Sequence, residues 1–156
     1  MANVNPIPDT YHRVTPYLHI RGAAQAIDFY RRVFDAAPKG PPMQGPDGKI
    51  GHAEIMIGDS TVMLADEMPD MGAPSPETVG GTPISLVVYV ADCDAVTKKA
   101  ADAGATVERQ PEDQFYGDRA ATIRDPFGFR WDIHTHVEDV SPEEMGRRMA
   151  AMAPAS

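Results

Sequence analysis

The sequence predicts an α+β fold of two βαβββ modules followed by a C-terminal helix. Three observations predict it. Short segments with alternating apolar and polar residues flank two segments whose apolar residues recur at helical spacing. That order occurs twice, opening at Val14 and again at Ile84. A stretch dense in Pro and Gly separates the two occurrences. The repeat is one of element order, since the halves share little residue identity.

Residues 1–13 read as a polar arm with no apolar run, so no signal peptide is expected. The first module covers 14–67. Val14–Ile20 alternates as a strand. A helix follows Gly22, with Ile27, Tyr30 and Phe34 on one face and Ala26, Phe29 and Val33 widening it. Pro38 is expected to stop that helix. Gly40–Gly48 reads as a loop. Ile50–Ile57 and Thr61–Ala65 read as a hairpin turned by Gly58-Asp59-Ser60. Residues 68–83 hold Pro69, Pro74, Pro76, Gly80, Gly81 and Pro83 and read as a linker.

The second module covers 84–136. Ile84–Val90 is its first strand. Asp92 caps a helix that Gly104 closes. Ala105–Arg109, Arg119–Arg124 and Phe129–Thr135 are strands, the last two joined by the turn Asp125-Pro126-Phe127-Gly128. Residues 137–156 form a C-terminal helix and tail. Ser141, Pro142 and Glu144 spell a capped start, with Met145, Met149 and Met152 on one side and Arg147 and Arg148 toward water.

The chain has 156 residues, the size of one structural domain overall. Its 14 basic and 23 acidic residues give a net charge of −9. That balance disfavours nucleic acid and anionic membranes as partners. No run is apolar enough to span a bilayer. One cysteine, Cys93, excludes an intrachain disulfide and a multi-cysteine zinc site, and a cytoplasmic protein is expected. Flanked by Asp92 and Asp94, Cys93 reads as a small structural residue rather than a nucleophile.

The segments AIDFYRRVF, GHAEIMIGDSTVMLADE, RDPFGFRWDIHTH and VEDVSPEEMGRRM, with the doubled order, resemble the vicinal oxygen chelate superfamily. That group includes glyoxalase I, bleomycin-resistance proteins and extradiol dioxygenases, and these segments resemble its PhnB-like branch. The resemblance implies that the modules form a cup-shaped mixed sheet with helices on the convex side. It also implies a homodimer, and a ligand or metal in the cup. Its usual metal positions fall here on Thr15, Met63, Ser85 and Asp132. Of these only Asp132 is a strong oxygen ligand, and a thioether suits no hard cation. No metal is therefore expected at the standard positions, no cofactor is predicted, and no methylglyoxal–glutathione isomerase activity is expected.

Strand alternation gives the cup a polar face, with Thr15, Tyr17, His52, Glu54, Met63, Ser85, Tyr89, Asp132 and His134 as pocket candidates. Glu54 and Asp132 are the catalytic candidates, and Glu54 needs a partner such as His52 or Arg130. His19 reads either as a pocket hydrogen-bonder or as an exposed strand end. Three functions stay open. The first is a metal-free small-molecule binder of the bleomycin-resistance type. The second is a lyase or isomerase using one divalent metal ion on a displaced set, His52, Glu54, Asp132 and His134. The third is an interaction protein with a vestigial cup. An anionic ligand would require Arg130, Arg119 or Lys49 to enter the cup.

Overall fold

The computed structural model describes residues 4–152, so the first three residues of the arm and the last four of the tail lie outside the described residues. The chain divides into two units, one ending at Gly81 and the other starting at Thr82. In the first unit β1 (Tyr17–Ile20) begins later than the alternation predicts. Thr15 turns its hydroxyl back to the His12 carbonyl, 3.1 Å away, and Pro16 has no N–H for a ladder. β1 runs parallel to β5 (Ser60–Asp66), which pairs antiparallel with β4 (Ile50–Ile57).

Helix α1 (Ala23–Phe34) starts beyond Gly22, whose φ of 92° would strain any residue with a Cβ. Asp66 caps it from the end of β5, its Oδ1 accepting from the N–H groups of Gly22 and Ala23. The buried stripe is Ala23, Ala26, Phe29, Tyr30, Val33 and Phe34, and Ile27 lies half-buried at its margin. It covers one sheet face, where Leu18, Ile20, Ala53, Ile55, Val62 and Leu64 are buried.

The helix ends before Pro38, at Asp35, a left-handed residue whose N–H reaches the Tyr30 carbonyl. Pro38 instead lies in β2 (Ala37–Pro38), and the expected loop contains β3 (Met43–Gln44). Both short strands pair with β4, and two residues are too few to show a period. The Pro/Gly stretch holds a 3₁₀ turn at Pro69–Met71 and a one-turn helix, α2 (Pro76–Val79). Glu67 fastens it by accepting from the Ser75 N–H (2.9 Å), the Thr78 hydroxyl (2.6 Å) and Arg21 Nε (2.8 Å). These bonds hold the Glu67 carboxyl at about 2.

The second unit has the sheet order β6 (Ser85–Tyr89), β9 (Arg130–His136), β8 (Asp118–Arg124), β7 (Thr106–Asp113). β6 and β9 are parallel and the other pairs antiparallel. β7 is longer than expected because it continues through Pro111, which an edge strand tolerates. Helix α3 (Cys93–Asp102) is capped by Asp92, whose Oδ1 accepts from the Ala95 N–H at 2.9 Å. It packs on the face where Ala121, Ile123, Trp131 and Ile133 are buried. The buried Asp125 organises its turn, accepting from the N–H groups of Phe127 and Phe129 and from the Trp131 indole.

Helix α4 (Pro142–Met152) begins at Ser141, whose hydroxyl accepts from the Glu144 N–H. The Glu144 carboxylate does not close the box but pairs with Arg147 and Arg148. Contrary to expectation, Arg148 turns inward and binds Glu138 and the Phe115 carbonyl, which moors α4 to its own unit. No helix among the described residues is long and apolar enough to cross a membrane.

Candidate functional site

Each sheet has one face under its helix and one face that carries titratable groups. In the first unit the cross-strand row Tyr17–Met63–Glu54 lies on that second face. Glu54 accepts from the Tyr11 hydroxyl at both oxygens, at 2.9 and 2.8 Å, and lies 3.2 Å from His52 Nε2. Lys39 stands 3.9 Å from the carboxylate and 3.6 Å from the centre of the Tyr11 ring. Burial alone would raise the Glu54 carboxyl, but the bonds from Tyr11 and His52 and the charge of Lys39 outweigh it and hold it low. Tyr17 reaches His52 Nδ1 with its hydroxyl (3.0 Å) and stacks on His19. Glu54 is thus tied to Tyr11, His52 and Lys39, while Arg130, the other partner considered for it, pairs with Glu108.

In the second unit the centre is Asp118, 5% exposed. Its Oδ2 accepts from the Tyr89 hydroxyl (3.0 Å) and faces His134 Nδ1 (2.9 Å), and its Oδ1 faces His136 Nδ1 (2.9 Å). Burial alone would raise its carboxyl, but the bonds from His134, His136 and Tyr89 outweigh burial and keep it ionised. An ionised Asp118 only accepts, so the Nδ1 of each ring carries the proton. His136 also meets Asp139 at Nε2 (3.0 Å), and two carboxylates on one ring raise its pKa. His134 keeps Nε2 as an acceptor in its neutral form, and Tyr116 stacks on it at 24°.

A cavity of about 180 Å³ opens on this face, lined in part by Arg109, Tyr116, Thr122, Arg130, Asp132 and His134. Register explains the convergence. Val87, Asp132, Thr122 and Arg109 form one row across all four strands, and Tyr89, His134 and Ala120 form part of the next. Asp132 accepts from the Thr122 hydroxyl at 2.7 Å. The register of β7 shifts between Val107 and Arg109, and around that irregularity Glu108 meets Arg124 and Arg130 while Arg109 reaches the cavity. Arg119 does not line this cavity; it holds Asp94 and Asp113.

Of the expected pocket residues, Tyr17, His52, Glu54 and Met63 gather in the first unit, and Asp132 and His134 line the cavity of the second, with Tyr89 at its Asp118 side. Thr15 precedes the sheet and spends its hydroxyl on a carbonyl. Ser85 is half-buried beside Arg130 on β9. As a donor set, Thr15, Met63, Ser85 and Asp132 supply one carboxylate, already engaged with Thr122, and do not fit a divalent cation. No group of three or more His, Cys, Asp or Glu among the described residues is arranged to hold a metal ion. Cys93 is buried, its thiol donating to the Ile133 carbonyl, and burial pushes that thiol up.

Sequence reasoning missed Tyr11, Lys39, Arg109, Tyr116 and Asp118. Asp118, Ala120 and Thr122 alternate onto one face, a signal visible only once the strand is started one residue before Arg119. Tyr11 lies in the arm, 43 residues from Glu54, and no local pattern links them.

Several known proteins are similar to this chain. An uncharacterised protein of Mycobacterium bovis is 43% identical over 141 residues, covering 88% of this chain and 92% of that one. An anthracycline biosynthesis protein of Streptomyces peucetius is 32% identical over 112 residues, covering 72% of this chain and 37% of its own length. Among solved structures, TioX from Micromonospora sp. ML1 is 25% identical with a TM-score of 0.62, over 81% of this chain and 99% of that one. A PhnB protein from Bacillus cereus, 18% identical with a TM-score of 0.62 over 80% of this chain and 99% of its own, shares the fold. A family model matches residues 13–133, and the chain belongs to the glyoxalase/bleomycin resistance protein/dioxygenase superfamily.

Proposed function

We propose that the protein binds a small polar molecule in the cavity of its second unit, without the metal that many members of its superfamily carry. The observation that carries this reading is His134. A buried carboxylate fixes its tautomer, an aromatic ring stacks on it, and it lines a cavity with Arg109 and Asp132. A side chain held that firmly is preorganised to recognise a ligand. The donor set at Thr15, Met63, Ser85 and Asp132 supports the metal-free part of the reading. The DPFGFRWDIHTH and SPEEMGRRM segments support a place in the PhnB-like branch.

The test is a small-molecule library screened by amide NMR on chelator-treated protein. Binders are expected to shift the amides of Thr122, Asp132 and His134. Binding that appears only with an added divalent ion and vanishes on chelation would replace this reading with a metal-dependent lyase or isomerase. An assay with the methylglyoxal–glutathione hemithioacetal is expected to show no turnover above buffer. We further assign a homodimer, supported by Met149 and Met152, which are 57% and 65% exposed on α4. Light scattering is expected to give about twice the 16.9 kDa chain mass, and a mass near one chain at high concentration would overturn the assignment.

A further inference from the structure

We infer that the ligand of the second unit's cavity is a small carboxylate bearing a hydroxyl group, the carboxylate seated on Arg109 and the hydroxyl donating to His134 Nε2. The inference rests on the reading of that cavity as the binding site and adds the chemical class of the occupant.

The walls demand a molecule with an acceptor at one end and a donor at the other. Arg109 is the acceptor-seeking end. Arg119 is neutralised by Asp94 and Asp113, while Arg124 and Arg130 share the one carboxylate of Glu108, so Arg130 adds positive charge to the same cavity. Arg109 has no acidic partner among the described residues and lines the cavity. Its planar fork fits a carboxylate through two parallel hydrogen bonds.

The donor-seeking end is His134 with Asp132. Asp118 accepts from the Nδ1–H of His134, which leaves the other ring nitrogen, Nε2, to accept from a hydroxyl. One Asp132 oxygen holds Thr122, and the other can only accept. A carboxylate placed at this end would be repelled by Asp132, so the charge on Asp132 also sets the ligand's direction. The two ends are separated along the row Arg109–Thr122–Asp132, two strand spacings or about 10 Å between the outer Cα atoms. The long arginine side chain shortens that span for the ligand. The volume sets the size of the part that is seated, since the cavity is open on one side. A closed cavity of about 150 Å³ takes one benzene ring, so 180 Å³ seats about six to seven non-hydrogen atoms. A short hydroxy acid meets the charge, the donor and the volume together.

The test is an amide-NMR titration of chelator-treated, full-length protein with 4-hydroxybutyrate, butyrate and 4-hydroxybutyramide. The probe carries its hydroxyl on the carbon farthest from the carboxylate, so the two groups reach opposite ends of the cavity. Butyrate lacks the hydroxyl and 4-hydroxybutyramide lacks the charge. 4-Hydroxybutyrate is expected to shift Thr122, Asp132 and His134 with a dissociation constant on the order of millimolar, and the other two to bind about tenfold more weakly. The exposed Arg109 can change without disturbing the core, and Arg109→Gln is expected to weaken 4-hydroxybutyrate about tenfold while leaving 4-hydroxybutyramide unchanged. His134→Gln is expected to abolish the preference for 4-hydroxybutyrate over butyrate. Equal binding of 4-hydroxybutyrate and butyrate, or an unchanged 4-hydroxybutyrate affinity in Arg109→Gln, would overturn the inference. Shifts of these amides by library compounds but not by 4-hydroxybutyrate would end the hydroxy-acid class and leave the cavity as a binding site. Silence of these amides toward every compound would overturn both.

Discussion

Replacing Asp118 with Asn tests how much of the second unit rests on one buried carboxylate. The ionised group accepts from Tyr89, His134 and His136, and bonds to a charged acceptor contribute about 1.5–3 kcal/mol each. Asn keeps one oxygen. Placed where Oδ2 is now, it retains Tyr89 and His134 as neutral hydrogen bonds, each weaker by roughly 0.5–1 kcal/mol. Its amide then faces the Nδ1–H of His136, and that bond is lost. The sum is about 2.5–5 kcal/mol. At roughly 2–4 °C per kcal/mol for a chain of this size, the melting temperature should fall by about 5–20 °C. The penalty should also depend on pH. His136 has a folded pKa raised by Asp139 and Asp118, so its pairing stabilises fully below the unfolded value and fades as pH rises through the folded one. The loss on Asp118→Asn should therefore be larger at mildly acid pH, where the carboxylate and the imidazolium are both charged, than at alkaline pH, and should shrink again at strongly acid pH, where Asp118 itself takes up a proton. Thermal melts across pH, with ring-nitrogen spectra of His134, are the assay. A melting point within about 1 °C of the parent at every pH would refute the reasoning.

Two further outcomes follow from single residues. Glu67 has its folded pKa lowered to about 2 from 4.5, so its contribution is present above the unfolded value and lost as pH falls from about 4.5 toward 2. Glu67→Gln should flatten the acid limb of a stability-against-pH curve and speed proteolytic nicking between Met68 and Gly81, and an unchanged acid limb would count against this anchor. Cys93, buried with its thiol raised, should resist alkylation at neutral pH until denaturant is added. Rapid modification of the native protein would show that α3 opens far more readily than its packing implies.

The sequence by itself determined the elements, because their periods are local. Alternation and helical spacing are set by neighbours a few positions away, so α1, α3, β4, β5, β8, β9 and the capped start of α4 were legible, as was the turn at Asp125. Alternation also sorted His52 and Glu54, and Asp132 and His134, onto the faces away from the helices. Tertiary structure decided which of these groups meet. Asp118 joins His134 and His136 through the register of β8 against β9, and a slip of one residue would turn it to the helix side. Arg109 reaches the cavity at a register shift that no pattern announces. Tyr11 reaches Glu54 because the arm folds back across the sheet, a contact whose chain separation carries no periodic trace. Local sequence fixes the direction of a side chain within its element, whereas its partner depends on how distant strands align, and the chemistry of this site lies in the partners.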